Sequence, residues 1–247
     1  MRFAANGAYA MTELEQRWRR VLDGKAEAEK AAGRELGSVC LLAISKYQPA
    51  SAIAELFHLG QRDFGENYMQ EARAKQAELA RLDIRWHATG PVQTNKAKEV
   101  AGNFSLLHTL GTEALARAIL RRLPAGAVQD TLIQVNIGEE PQKSGVAPAE
   151  LPAFVETLLE GGLEAENGAS LRLRGLMCLP PNCGEGELAR PYFTRLRELR
   201  DGLEQRFGLE LPELSMGMSG DYRQAIEEGA TIIRVGTDIF GARPKKA

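Results

Sequence analysis

Short apolar runs alternate with helical stretches along nearly the whole chain. The first run, Val39-Cys40-Leu41-Leu42-Ala43-Ile44, is continuous and of strand length. Such a run suits a strand buried on both faces of a parallel sheet. Further strands are expected at 62–65, 84–89, 105–109, 131–137, 171–178, 213–216 and 231–235, making eight in all. Helices are expected at 49–59, 68–80, 94–101, 112–123, 148–160, 187–207 and 221–228, so every strand but the last is followed by one. One more helix precedes the first strand: Leu14, Trp18, Val21, Leu22 and Ala28 recur at helical spacing behind Thr12, a candidate N-cap. Strict alternation of this kind implies a parallel sheet. Eight units in 247 residues suit an α/β fold of the (β/α)8 TIM-barrel type, with an extra N-terminal helix. An open doubly wound sheet has the same alternation and stays the alternative.

Composition narrows the function classes. Lys and Arg total 31 against 33 Asp and Glu, a formal charge of -2. That balance speaks against a protein that coats nucleic acid. No apolar run approaches the roughly 18 to 20 residues a membrane span needs. The cysteines, Cys40, Cys178 and Cys183, are three in number, too sparse for a disulfide framework. Cys178 and Cys183 have no neighbouring His or further Cys to complete a zinc site. All three are read as reduced thiols of a cytoplasmic protein. Residues 1–10, MRFAANGAYA, make a poor signal peptide and are read as a disordered leader ahead of Met11. The loop from Pro180 to Gly186 is too short to divide the chain, which leaves 11–247 as a single domain.

In such a barrel the chemistry lies where strands end at their C-terminal side. Lys46 closes the first apolar run. An ammonium held there loses hydration, which favours the neutral amine that attacks an aldehyde; the plain reading is a solvated rim lysine. Ser215-Met216-Gly217-Met218-Ser219-Gly220-Asp221 opens a helix, and Gly236-Thr237 follows the last strand. Backbone N–H groups at such places grip phosphate, and the loops after strands seven and eight are the usual location; the plain reading is a capped turn. Together with Lys46 they suggest a phosphorylated aldehyde. Arg234 lies inside the last strand. Facing a pyridine nitrogen, a guanidinium can only donate, which keeps that nitrogen unprotonated. The other reading is a buried ion pair with a strand-end carboxylate.

These residues carry a recognisable pattern. LLAISKYQPA with Lys46, DFGENYMQEA from Asp63, WHATGPVQTNKAK from Trp86, QVNIGEEPQKSGV from Gln134, LRGLMCLPP from Leu173, and LSMGMSGDYRQAIEEGATIIRVGTDIFGAR from Leu214 follow in order. In this succession the chain resembles the pyridoxal 5′-phosphate (PLP) homeostasis proteins, the YggS/PROSC family. The resemblance implies a barrel like the N-terminal domain of alanine racemase, with PLP as a Schiff base on Lys46. It implies phosphate contacts at Ser219, Gly236 and Thr237, with Arg234 facing the pyridine nitrogen. It places Asn67 and His87 as polar neighbours of the cofactor, and Met218 and Met177 in the pocket wall.

Two departures stand out. Where the family reads SKTKPA, Tyr47 and Gln48 follow Lys46 here. A second lysine at that spot is absent, so Lys143 becomes the candidate for a secondary cofactor contact. WHATG replaces WHFIG, which predicts a looser pocket floor near Ala88. A racemase of the related two-domain type needs a tyrosine base from a partner subunit's further domain, and the chain ends at Ala247, soon after the last strand. The expectation is therefore a monomeric PLP carrier or buffer that supplies apoenzymes without robust catalysis and binds no metal. The alternative is a single-domain PLP-dependent amino-acid racemase.

Overall fold

A computed structural model describes residues 11–181 and 186–242; the expected leader at 1–10 and Cys183 lie outside the described residues. The element order is α1 (Glu13–Ala31), β1 (Cys40–Ile44), α2 (Ala50–His58), β2 (Asp63–Glu66), α3 (Met69–Glu78) and β3 (Arg85–Ala88). It continues with α4 (Ala97–Val100), β4 (Leu106–Leu110), α5 (Glu113–Leu120), β5 (Val128–Val135), α6 (Leu151–Glu160) and β6 (Ser170–Cys178). It ends with α7 (Arg190–Phe207), β7 (Glu213–Ser215), α8 (Tyr222–Glu227), β8 (Ile232–Val235) and α9 (Thr237–Phe240). Short 3-10 turns precede α4 and α7.

The eight strands are all parallel and close in sequence order, β8 pairing back onto β1. The open sheet is thereby excluded, and a helix precedes the first strand as the periodicity predicts. Two differences from expectation are local. The last strand is followed by a short helix, α9, which four residues were too few to announce. Strand β5 starts at Val128 rather than 131, because its first residues pair with β6 before the apolar run begins.

Two apolar layers hold the barrel. The larger lies between sheet and helices and takes in Leu41, Ala43, Ile53, Phe64, Phe193 and Ile233. The smaller fills the interior with Leu42, Leu106, Leu132, Met177 and Ile232, each from a different strand. Side chains two apart on a strand share a face. Ile232 therefore carries Arg234 into the interior, Leu106 carries His108, and Leu42 carries Ile44 toward the rim that Lys46 occupies. Helix α1 packs on α8 and α9, beneath the loops that follow β7 and β8. Thr12 caps it, accepting from the Glu15 N–H at 3.1 Å, and Trp18 anchors its buried face by donating to Gln61 Oε1 at 3.0 Å.

Candidate functional site

Lys46 is half-buried at the mouth of the barrel, in a tight turn directly after β1. The next residue, Tyr47, has φ 65°, a left-handed conformation that costs a non-glycine residue about 1 kcal/mol. A buried charged cluster on α3 holds this turn in place. Glu71 accepts the Tyr47 N–H at 2.5 Å. Lys75 Nζ donates to Glu71, to Glu66 and to the Ser45 carbonyl, each at 2.7 Å. Ser45 Oγ donates to the same Glu66 oxygen at 2.7 Å. Glu66 is fully buried, and its Oε2 has no partner among the described residues. Burial pushes its carboxyl above the usual range, an effect that Lys75 and Ser45 only partly oppose. The backbone on both sides of Lys46 is thus tied to one helix.

Deeper in the barrel lies Arg234, 4% exposed. Its Nη1 donates to Ser215 Oγ at 2.7 Å and its Nη2 to the Cys178 carbonyl at 2.8 Å. A guanidinium has five N–H groups, so only part of its donor capacity is used. Among the described residues no carboxylate lies within ion-pair distance of it; Asp221 attracts it only at longer range, and burial pulls its pKa below the ordinary value. The ion-pair reading of Arg234 is therefore not what the fold builds. Ser215 Oγ continues to His108 Nδ1 at 2.9 Å, His108 Nε2 to His87 Nδ1 at 3.0 Å, and His87 Nε2 to Asp63 Oδ1 at 3.2 Å.

The two glycine-bearing loops lie above. Gly217 has φ 90°, and a Cβ there would sit 2.5 Å from the Ala225 side chain. After it, Asp221 Oδ1 accepts the Met218 N–H at 2.6 Å while the Asp221 N–H returns to the Met218 carbonyl at 3.1 Å. This closed loop leaves the Ser219 and Gly220 N–H groups outside it. Among the described residues, the N–H groups of Ser219, Gly220, Gly236 and Thr237 donate to no protein acceptor. Met218 is exposed, whereas Met177 is core.

The barrel topology carries the strand ends bearing these residues to one mouth, and one cavity there brings Asn67 and Lys143 together. Asn67 follows β2, accepts from Thr89 Oγ1 at 3.1 Å, and passes so close to Gly90 that a Cβ there would meet its carbonyl at 2.1 Å. Asn67 and Lys143 line a cavity of about 250 Å³ with Thr89, Gln134, Asn136 and Leu179. Lys143 is already engaged, at 2.8 Å from the Pro180 carbonyl and 2.5 Å from Glu140 Oε2. His87 lies lower than the rim: it is in register with Gly65, which is in register with Ile44. Ala88 is fully buried. Cys40 and Cys178 are free thiols, each pushed up to about 12 by burial. Sequence reasoning missed Lys75, Glu71 and Asp63. A lysine four residues after a glutamate reads as an ordinary solvated helix pair. Only the fold reveals that this pair is turned inward against Glu66.

Comparison with known proteins places this geometry. Residues 33–244 match the family model for the alanine racemase N-terminal domain. A pyridoxal phosphate homeostasis protein of Pseudomonas aeruginosa is 45% identical over 218 residues, 88% of this chain and 90% of that one. One from Aquifex aeolicus is 44% identical over 92% of this chain and 97% of its own length. The structure of PipY from Synechococcus elongatus with PLP bound is 38% identical, with a TM-score of 0.74, covering 87% of this chain and 99% of PipY. Alanine racemase of Corynebacterium glutamicum, 18% identical with a TM-score of 0.62, shares the fold over 90% of this chain and 61% of its own. Membership therefore rests on sequence and fold together: the chain belongs to the alanine racemase N-terminal-domain family and, within it, to the pyridoxal phosphate homeostasis proteins.

Proposed function

We propose that this protein binds PLP as a Schiff base on Lys46 and serves intracellular PLP homeostasis, as a carrier that buffers the cofactor and supplies it to apoenzymes. The observation that carries this reading is Arg234, a buried cation with no carboxylate partner among the described residues and donor capacity to spare. A buried charge of this kind is costly until an acceptor meets it. The ring nitrogen of PLP is such an acceptor, and the phosphate fits the unused N–H groups of Ser219, Gly220, Gly236 and Thr237. Lys46 would hold the cofactor through its side-chain amine, and PLP would supply the aldehyde, one water leaving for each bond formed. Asn67 would meet the cofactor from the cavity it lines, Met218 would cover the phosphate loop, His87 would act from below through Arg234, and Lys143, on the same cavity as Asn67, is the candidate for a secondary contact. The unit that does this is residues 11–247.

The same arginine supports a carrier over an enzyme. A donor cation at the ring nitrogen excludes a proton there, and a neutral ring is a weak electron sink. The name shared by the relatives supports the same reading. Among the described residues no helix is long and apolar enough to cross a membrane; we place the protein in the cytoplasm as a monomer. The test is direct. Protein loaded with PLP and reduced with borohydride should carry a pyridoxyl group on the Lys46 peptide by mass spectrometry, and Lys46→Ala should lose the yellow chromophore. A colourless protein with Lys46 unlabelled overturns the reading. Amino-acid racemisation should not exceed that of free PLP; robust turnover overturns the carrier assignment.

A further inference from the structure

The bonds below Arg234 form one continuous chain across the barrel interior, and donor and acceptor chemistry fixes its direction. Arg234 Nη1 can only donate, so Ser215 Oγ accepts from it at 2.7 Å. The proton of the Ser215 hydroxyl then has His108 Nδ1 in reach at 2.9 Å. Nδ1 accepts only if His108 is neutral with its proton on Nε2. That proton faces His87 Nδ1 at 3.0 Å, so His87 in turn carries its proton on Nε2, 3.2 Å from Asp63 Oδ1. Asp63 is a bound carboxylate, held from the other side by Arg85 at 2.7 and 2.6 Å. Every bond therefore points from Arg234 toward Asp63. Reversing any one would turn a lone pair of His87 against the carboxylate or require an imidazolium inside the barrel.

Burial, the largest cause, holds His108 well below the usual imidazole range, so this ring takes the neutral form that its place in the chain requires. Burial opposes ionisation of Asp63, but the bonds from Arg85 and His87 outweigh it and keep its carboxyl well below the usual range. Asp63 thus closes the chain as its anionic end, joined to Arg234 through His87, His108 and Ser215 by aligned, mutually polarising hydrogen bonds, while the carboxylate whose charge reaches Arg234 directly is Asp221. The chain ends at the opposite mouth of the barrel, where Asp63 and Arg85 line a cavity of about 510 Å³ with Lys25, Cys40, Glu213 and Thr231.

We propose that Asp63, His87, His108 and Ser215 are positioning residues for Arg234, a one-way hydrogen-bond chain that fixes the guanidinium as a donor to the cofactor ring. The proposal rests on the PLP reading for what Arg234 meets, and on this chain's own atoms for the rest. It gives His87 a place in that chain, without contact with PLP.

Two measurements test it. In cofactor-free protein with 15N-labelled imidazoles, NMR should find His108 neutral, protonated on Nε2, from about pH 5 to 9. An imidazolium, or a proton on Nδ1, overturns the chain whatever the protein binds. In PLP-loaded protein, the visible band of the Lys46-bound cofactor is titrated in wild type, Ser215→Ala and Asp63→Asn. Cutting the chain at either end should move the midpoint by about one pH unit. A merely structural role would lower the thermal midpoint and leave the spectral one in place, and that result overturns the proposal. A wild type that takes up no PLP overturns the cofactor reading, and with it the cofactor end of this one, while the NMR result still decides the chain.

Discussion

Lys75 and Arg234 are both buried cations, at 6% and 4% exposure, yet their surroundings are opposite. Lys75 meets two carboxylates and a carbonyl, each at 2.7 Å. Arg234 meets a hydroxyl and a carbonyl, and among the described residues no acid. A buried charge that is fully paired serves the fold, because removing it strands its partners. A buried charge left short of acceptors serves a ligand. The contrast separates scaffold from site inside one barrel. Lys75 holds the turn that carries Lys46, and Arg234 is the cation proposed to meet the bound cofactor.

The largest effect should come from Lys75→Met. It strands Glu66 and frees the backbone around Lys46, so unfolding stability should drop by about 3 kcal/mol in denaturant titrations at neutral pH. The pH dependence has a definite sign. The Glu66 carboxyl is already raised in the folded protein. A raised carboxyl contributes stability that is present below its unfolded value and lost as pH rises through the folded one. The variant raises it further, so the deficit should shrink as the pH falls toward about 5. A deficit that grows on acidification would mean Glu66 is not the stranded group.

Arg234→Met should do the reverse. Replacing a buried charge with an apolar side chain of similar length should leave cofactor-free stability within about 1 kcal/mol of wild type. PLP retention, followed by equilibrium dialysis, should fall by about tenfold or more, the value of a hydrogen bond to a charged donor. If this variant unfolds as readily as Lys75→Met, the distinction between the two cations collapses. Gly217→Ala comes next. Its left-handed φ and the 2.5 Å approach to Ala225 predict a loss of about 1–2 kcal/mol in stability. Inorganic phosphate should then stabilise the variant less than wild type, as thermal melts would read.

The fold was largely legible in the sequence because burial on both faces writes parallel strands as continuous apolar runs, and Val39 to Ile44 is the clearest case. Lys46 and Arg234 were legible for the complementary reason: a cation at the end of, or inside, such a run is an anomaly that needs an explanation. The supports were not. Lys75 and Glu71 are charged residues on a helix, and nothing in their spacing tells an inward pair from a solvated one. Asp63, His87, His108 and Ser215 come from four strands, and their connection exists only once the barrel closes. Short-range pattern finds what breaks the local rule, whereas a network assembled across the barrel is a property of topology.

Lys143 should show the smallest effect, and it tests whether nearness to the cavity is enough to make a cation part of the site. It lines the same cavity as Asn67, and the missing second lysine after Lys46 makes it the natural substitute. Its ammonium, however, is already occupied by the Pro180 carbonyl at 2.8 Å and Glu140 at 2.5 Å. It is also half-buried, so solvent supplies what pairing does not. By the logic that separates Lys75 from Arg234, a cation with its acceptors in place has little left for a ligand. Lys143→Ala should therefore change PLP retention by less than about threefold, within the small value of an exposed ion pair. It should leave the visible spectrum of the loaded protein unchanged. A tenfold loss would show that the loop gives up Glu140 and Pro180 when PLP arrives, and would move Lys143 to the side of Arg234.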